Sequence, residues 1–131
     1  MENQMICLDT TILIEYYRKK DKSKSFFYEL AGQYDNFAIS SITEYEIYIG
    51  SNVEKDKFWD DFFSKVISLP YNSDVNKQAI KIDRQLKRIS KQIDTPDLMI
   101  AASAMANGLK IATLNSNHFN RIEGLEVISK K

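Results

Sequence analysis

The sequence predicts a three-layer α/β/α domain built on a mostly parallel central sheet of about five strands. Three observations carry that expectation. Short apolar runs alternate along the chain with longer stretches of helical periodicity, the pattern of a parallel sheet covered on both faces. The 131 residues suit one domain, spanning 1–131, and are enough to bury a real core. No Pro/Gly/Ser-rich linker, low-complexity tract or internal repeat interrupts them.

The elements follow in order. Met5-Ile6-Cys7-Leu8 reads as a buried strand ending at Asp9, with Thr10 or Thr11 able to cap a helix over Ile12–Arg18. A second helix is expected from about Ser23 to Gln33, and Phe37-Ala38-Ile39 is a second strand. Ser41-Ile42-Thr43-Glu44 has the form of a capping box and opens a helix to about Ile49, stopped by Gly50. Ser51-Asn52-Val53-Glu54 repeats the device for a helix to about Ser64. Val66 to Leu69, before Pro70, is a third strand. Val75, Ala79, Ile82, Leu86, Ile89 and Ile93 step by four and three, the apolar stripe of a long amphipathic helix. Thr95-Pro96 starts another helix, with Pro at its first position, running to Asn107-Gly108. Lys110–Leu114 and Glu126-Val127-Ile128 complete the strands.

Composition narrows the chemistry. One Cys (Cys7) forbids an internal disulfide, and one His (His118) leaves too few Cys/His ligands for an ordinary zinc site. Eighteen Lys+Arg balance 18 Asp+Glu, so bulk positive charge does not mark the chain as a nucleic-acid coat. Ten Asp and eight Glu remain, and a metal held by carboxylates would be a hard ion such as Mg²⁺ or Mn²⁺. Asp9 interrupts the first apolar run, and the longest nearly apolar stretch, Leu98–Ala106, is too short to span a bilayer. The expectation is a soluble, cytoplasmic protein without a membrane partner.

In open parallel sheets, ligands bind beyond the carboxyl ends of the strands. That rule points to Asp9, to the stretch after Ser40 and to the stretch after Thr113. Most other acids have local explanations in caps, turns or solvated faces. Asp9 ends a buried strand, where it could instead simply start the next helix. Glu46 sits at the edge of the stripe formed by Ile42, Tyr45 and Ile49, a place that also suits a solvated flank residue. Asp97 lies in the first turn of an apolar helix, where a negative charge is favourable in any case. Together the three form a candidate metal cluster. Carboxylates sharing a site repel one another, and a divalent cation relieves the repulsion. The cation can then activate water and neutralise a phosphate oxygen.

The arrangement resembles the PIN-domain family, specifically the VapC-type toxin ribonucleases, over essentially the whole chain. Leu8-Asp9-Thr10-Thr11 followed by Ile-Leu-Ile looks like the family's first motif. Ser40 to Gly50, with Glu46 three after Thr43, looks like its second, and Thr95-Pro96-Asp97-Leu98-Met99-Ile100-Ala101-Ala102 like its third. Thr113-Leu114-Asn115-Ser116-Asn117-His118-Phe119 with Ile122-Glu123-Gly124-Leu125 looks like the last. The resemblance implies that Asp9, Glu46 and Asp97 hold Mg²⁺ or Mn²⁺. It further implies an endoribonuclease leaving 5′-phosphate and 3′-hydroxyl ends, an RNA substrate, a cognate antitoxin and a homodimer. Asn115 joins the catalytic group as a hydrogen-bonding residue. His118 stands where many members keep a fourth acid, and with Thr10 and Thr43 it is expected to face substrate.

Two surface features add to this. Lys77, Lys81, Arg84, Arg88 and Lys91 form a basic row about 200° round the long helix from its apolar stripe. The row is either a solvated face or a phosphate track, with Arg84 and Arg88 as its test residues. Thirteen of the 15 aromatics fall between Tyr16 and Phe63, as a bulky core or as an interface would require. Competing readings are a PIN-fold RNA- or protein-binding module that has lost catalysis, and a phosphohydrolase using Asp9 as nucleophile. The second wants another Asp two residues on, where Thr11 stands. A phosphoacceptor signalling domain would need an acid pair after the first strand and a Lys after the last.

Overall fold

Strands and helices alternate as the periodicity requires. The computed structural model describes residues 4–130. The chain runs β1 (Met5–Leu8), α1 (Thr10–Arg18), a 3-10 turn (Lys22–Lys24), α2 (Phe26–Ala31), β2 (Asn36–Ser40), α3 (Ser41–Ile49), α4 (Val53–Phe63), β3 (Ile67–Leu69), α5 (Ser73–Arg88), α6 (Thr95–Ala106), β4 (Ile111–Thr113), α7 (Ser116–Phe119) and β5 (Val127–Ser129). The sheet order is β3-β2-β1-β4-β5 and every neighbouring pair is parallel. β1 is therefore central, and the chain switches direction across the sheet between β1 and β4.

Alternation along the strands divides the core. Ile6, Leu8, Ile39 and Ala112 pack with α1, α2 and α4 on one face. Cys7, Ala38 and Ile111 pack with α5, α6 and Phe119 on the other. The first face holds the aromatics: Tyr16 meets Phe27, Phe58 and Phe62, and Tyr17 stacks on Trp59 with centroids 5.5 Å apart. Tyr28 and Tyr45 stay outside, with Ile49 and Val53 exposed beside the α3–α4 corner.

Three expected caps move by one or two residues. Asp9, not Thr10 or Thr11, caps α1 by accepting from the Ile12 N–H. Ser40, not Ser41, caps α3, and Asn52, not Ser51, caps α4. Neither capping box forms. Ser41 Oγ instead accepts from the Tyr71 N–H at 3.2 Å, and Glu44 accepts from the Ser68 hydroxyl. Both side chains thereby tie α3 to the β3 region. The single helix expected over 23–33 is broken at Ser25, whose hydroxyl caps α2. The Lys22 ammonium occupies that corner and donates to the carbonyls of Tyr16, Tyr17 and Lys19 at 2.7, 2.7 and 2.8 Å, closing the end of α1. The long helix stops at Arg88, because Ser90 takes a positive φ of 55°. Ile89 is consequently half exposed, while Ile93 still packs on the core from the loop. Asp60 accepts from the Tyr48 hydroxyl at 2.6 Å.

Leu86 is 1% exposed in the α5 stripe and Ile89 is 49% exposed. Urea denaturation of Leu86→Ala should therefore show a loss of about 2–5 kcal/mol. Ile89→Ala, beyond the helix, should lose less than about 1 kcal/mol. Equal losses would contradict the observed end of the stripe.

Candidate active site

Asp9 leaves the carboxyl end of β1 and turns its side chain back into the protein, where it is 2% exposed. Three donors hold it. Oδ1 accepts from the Thr11 hydroxyl at 2.6 Å and from the Ile12 N–H at 3.4 Å. Oδ2 accepts from the Thr113 hydroxyl at 2.7 Å, across the β1–β4 pairing. The same two threonines receive the next loop: the Asn115 N–H donates to Thr113 Oγ1 and the Leu114 N–H donates to Thr11 Oγ1. Burial pushes the Asp9 carboxyl up to about 6, against the pull of its three donors. The nearby negative charge of Asp97 pushes in the same direction as burial.

Glu46 arrives from α3. Its Oε1 accepts from the Thr10 hydroxyl at 2.7 Å, and Thr10 Oγ1 lies 3.2 Å from the fully buried Thr43 hydroxyl. Ser40, at the end of β2, hydrogen-bonds Ser103 of α6 at 3.0 Å, and both are fully buried. That contact locks the start of α3 to α6. Asp97, in the first turn of α6, has Oδ2 3.2 Å from His118 Nδ1, and the Asn115 amide lies 2.9 Å from the same ring nitrogen.

The predicted site residues thus gather at the carboxyl end of the sheet in two linked groups. Asp9, Thr10, Thr43 and Glu46 form one, and Asp97, Asn115 and His118 the other, with Thr113 between them. Arg84 and Arg88 do not join either group, nor each other. Arg84 lines a cleft with Tyr71, Leu98 and Met99, the last two following Asp97 in α6. Arg88 opens onto a different cleft with Lys81 and Glu123. Lys91 lies beyond α5. Sequence reasoning missed Thr113 and treated Thr11 only as a possible cap. The available signal was position: Thr113 is the next-to-last residue of the expected strand Lys110–Leu114 and ends the observed β4, whose following loop carries Asn115.

Among the described residues, no three Asp, Glu, His or Cys side chains stand as a ready-made metal cage. The donor set nevertheless fits a hard divalent ion. A carboxylate 2% exposed has its charge made costly by burial and by a second carboxylate, and nearly all the side chains around it offer oxygen. Mg²⁺ takes few protein carboxylates and keeps several waters, so it does not need a closed cage. Asp9 and Asp97 are the pair that act on each other electrostatically, and Glu46 connects to Asp9 through Thr10 next to it in the chain.

An open parallel sheet with a buried aspartate at its switch point, flanked by further acids on two helices, defines an α/β domain with a carboxylate-centred site. The PIN domain profile matches residues 6–125. The chain belongs to the PIN-domain family. It is 32% identical over 132 residues to Ribonuclease VapC1 of Methanocaldococcus jannaschii, covering 98% of this chain and 90% of that protein. Its fold superposes on VapBC2 from Rickettsia felis, solved bound to a promoter DNA fragment, with a TM-score of 0.85 and 24% identity over 98% of this chain and 100% of that one. VapBC-1 from nontypeable Haemophilus influenzae gives a TM-score of 0.84 and 25% identity over 96% and 98% of the two chains.

A raised carboxyl pKa stabilises the folded state only while the group keeps its proton. Asp9 therefore costs nothing below its unfolded value of 3.8 and its full penalty above about 6, roughly 3 kcal/mol in the metal-free protein. In EDTA, the part of the stability lost between these pH values should be smaller in Asp9→Asn than in the wild type. Parallel curves from pH-dependent urea denaturation would contradict the burial penalty.

Proposed function

We propose that residues 1–131 act as one domain, a divalent-metal-dependent endoribonuclease that is the toxin of a type II toxin–antitoxin pair. The observation that carries this is the buried Asp9, held by three donors at the switch point of a PIN-domain sheet and electrostatically coupled to Asp97. The ribonuclease name of the relatives and the VapBC structures support the substrate and the antitoxin partner. A homodimer belongs to the same reading. Among the described residues no helix is long and apolar enough to cross a membrane.

In this reading Asp9, Glu46 and Asp97 hold Mg²⁺ or Mn²⁺. When bound, the ion would supply positive charge against a phosphate oxygen and lower the pKa of water toward neutrality. The chain's own groups provide the geometry. Thr11, Ile12 and Thr113 fix both oxygens of Asp9, and Thr10 fixes one oxygen of Glu46. His118 braces Asp97, and Asn115 presents an amide beside them. Thr10 stands on the α3 side of the site, whereas Thr43, expected to face substrate, is fully buried and supports Thr10 from behind. In hydrolysis a water oxygen joins phosphorus, the P–O3′ bond breaks, and the 3′ oxygen leaves with a proton. Of the basic row, Arg84 shares a cleft with Leu98 and Met99, the residues that follow Asp97, and in this reading it is the member that meets RNA, while Arg88 opens onto a different cleft.

The purified protein should cleave RNA with Mg²⁺ or Mn²⁺ and stop in EDTA, and Asp9→Asn should lose at least about 100-fold in rate. Undiminished cleavage in EDTA, or by the variant, would refute the metal site. A second reading, a PIN-fold binding module without catalysis, is favoured by the absence of a ready-made cage among the described residues. Calorimetry separates the two. The nuclease should bind Mn²⁺ and Asp97→Asn should weaken that binding about 10-fold or more, whereas the binding module should take up no Mn²⁺.

A further inference from the structure

Beside the acidic group lies a cavity of about 360 Å³ that the sequence did not single out. It is lined by Ile14, Tyr17 and Arg18 of α1, by Glu46 at one edge, and by Lys55 and Trp59 of α4. Arg18 also lines the adjoining cleft that reaches Thr11 and Leu114, so it stands between two openings along α1. Its place on the helix is two turns beyond Thr10, the residue that fixes Glu46.

The charges here are unspent. Lys65, Lys87, Lys110 and Lys130 each pair with a carboxylate. Among the described residues neither Arg18 nor Lys55 has a carboxylate oxygen within 4.0 Å of its charged nitrogens. Other surface cations are also unpaired, but these two share their cavity with Glu46. Lys55 Nζ sits 5.9 Å from the centroid of the Tyr17 ring, which itself packs on Phe58 and Trp59. A rigid aromatic wall thus steadies one of the two cations. A polyanion lying across the carboxylates needs fixed positive charge next to them, and in a chain of zero net charge that charge must be local.

We propose that Arg18 and Lys55 form a clamp for an RNA phosphate neighbouring the scissile one, on the α1–α4 side of the acidic site. This rests on the ribonuclease reading above. Arg18 suits a bidentate grip on phosphate oxygens, and Lys55 acts as a point charge.

The test uses the full chain and a short single-stranded RNA that the wild type cleaves. Arg18→Gln/Lys55→Gln should raise KM about 10-fold or more with kcat within about twofold. In EDTA its RNA affinity should fall with salt less steeply than that of the wild type, by about 0.7 in the log–log slope for each phosphate no longer gripped. Arg18→Lys should keep most of that slope, which a merely structural role for the side chain would not produce. An unchanged KM and salt slope in a double variant that still cleaves would overturn the clamp and leave the nuclease reading intact. A wild type that neither binds nor cleaves RNA would overturn both. Unchanged RNA binding with weakened binding to the co-expressed partner protein would assign the cations to a protein interface and likewise overturn the clamp.

Discussion

The rest of the site depends on one costly placement, a carboxylate sealed at the end of the central strand. Asp9 is buried because β1 is flanked on both sides, by β2 and β4, and because helices cover both faces of the sheet. Three donors reduce the cost without cancelling it, since the carboxyl still sits near 6. A surface aspartate with the same donors would ionise easily and would have little use for a cation. Desolvation is what makes this carboxylate strongly receptive to positive charge.

The hydrogen bonds around Asp9 also explain how residues far apart in sequence act together. Thr113 donates a hydrogen bond from its hydroxyl to Asp9 and accepts one from the Asn115 N–H, so the loop after β4 is built onto the aspartate. Asn115 and Asp97 then meet at His118 Nδ1. On the other side, Thr10 ties the first turn of α1 to Glu46 of α3. α1 begins at Asp9, so each acid is referenced to the same strand end. A fourth acid in place of His118 would add charge to this group. The imidazole instead braces Asp97 and leaves the site with less negative charge to neutralise.

How much of this could be read from the sequence follows from the range of each interaction. The periodic features were legible: β1, the α5 stripe and the Pro96 start of α6 depend on local pattern. The sheet-end rule then led to Asp9 and to the stretch carrying Glu46, while Asp97 was singled out as a charge in the first turn of an apolar helix. Caps were legible only to within a residue or two, since Ser40 and Ser41 are chemically identical. What separates them is tertiary, because Ser41 is claimed by the Tyr71 N–H and Glu44 by Ser68. The break in the expected helix over 23–33 depends on Lys22 closing the end of α1. Thr113 was missed for the same reason, because its partner lies 104 residues earlier and they meet only through β1–β4 pairing.

The equality of acids and bases conceals a segregation that only the fold exposes. Four lysines are matched to nearby carboxylates and contribute little outward field. Among the many cations without such a partner in the described residues, Arg18 and Lys55 line the Glu46 cavity and Arg84 lines a cleft with Leu98 and Met99. Positive charge is thus free beside Glu46 and in the cleft between α5 and α6. For a polyanion this is a workable arrangement: the outer cations draw the backbone in, while the carboxylates repel any phosphate that arrives without a metal ion. A chain with uniform positive charge would hold RNA without that condition. In the ribonuclease reading, a neutral chain with unpaired cations near its acids would hold the polyanion through those cations and need the ion's charge only where a phosphate meets the carboxylates.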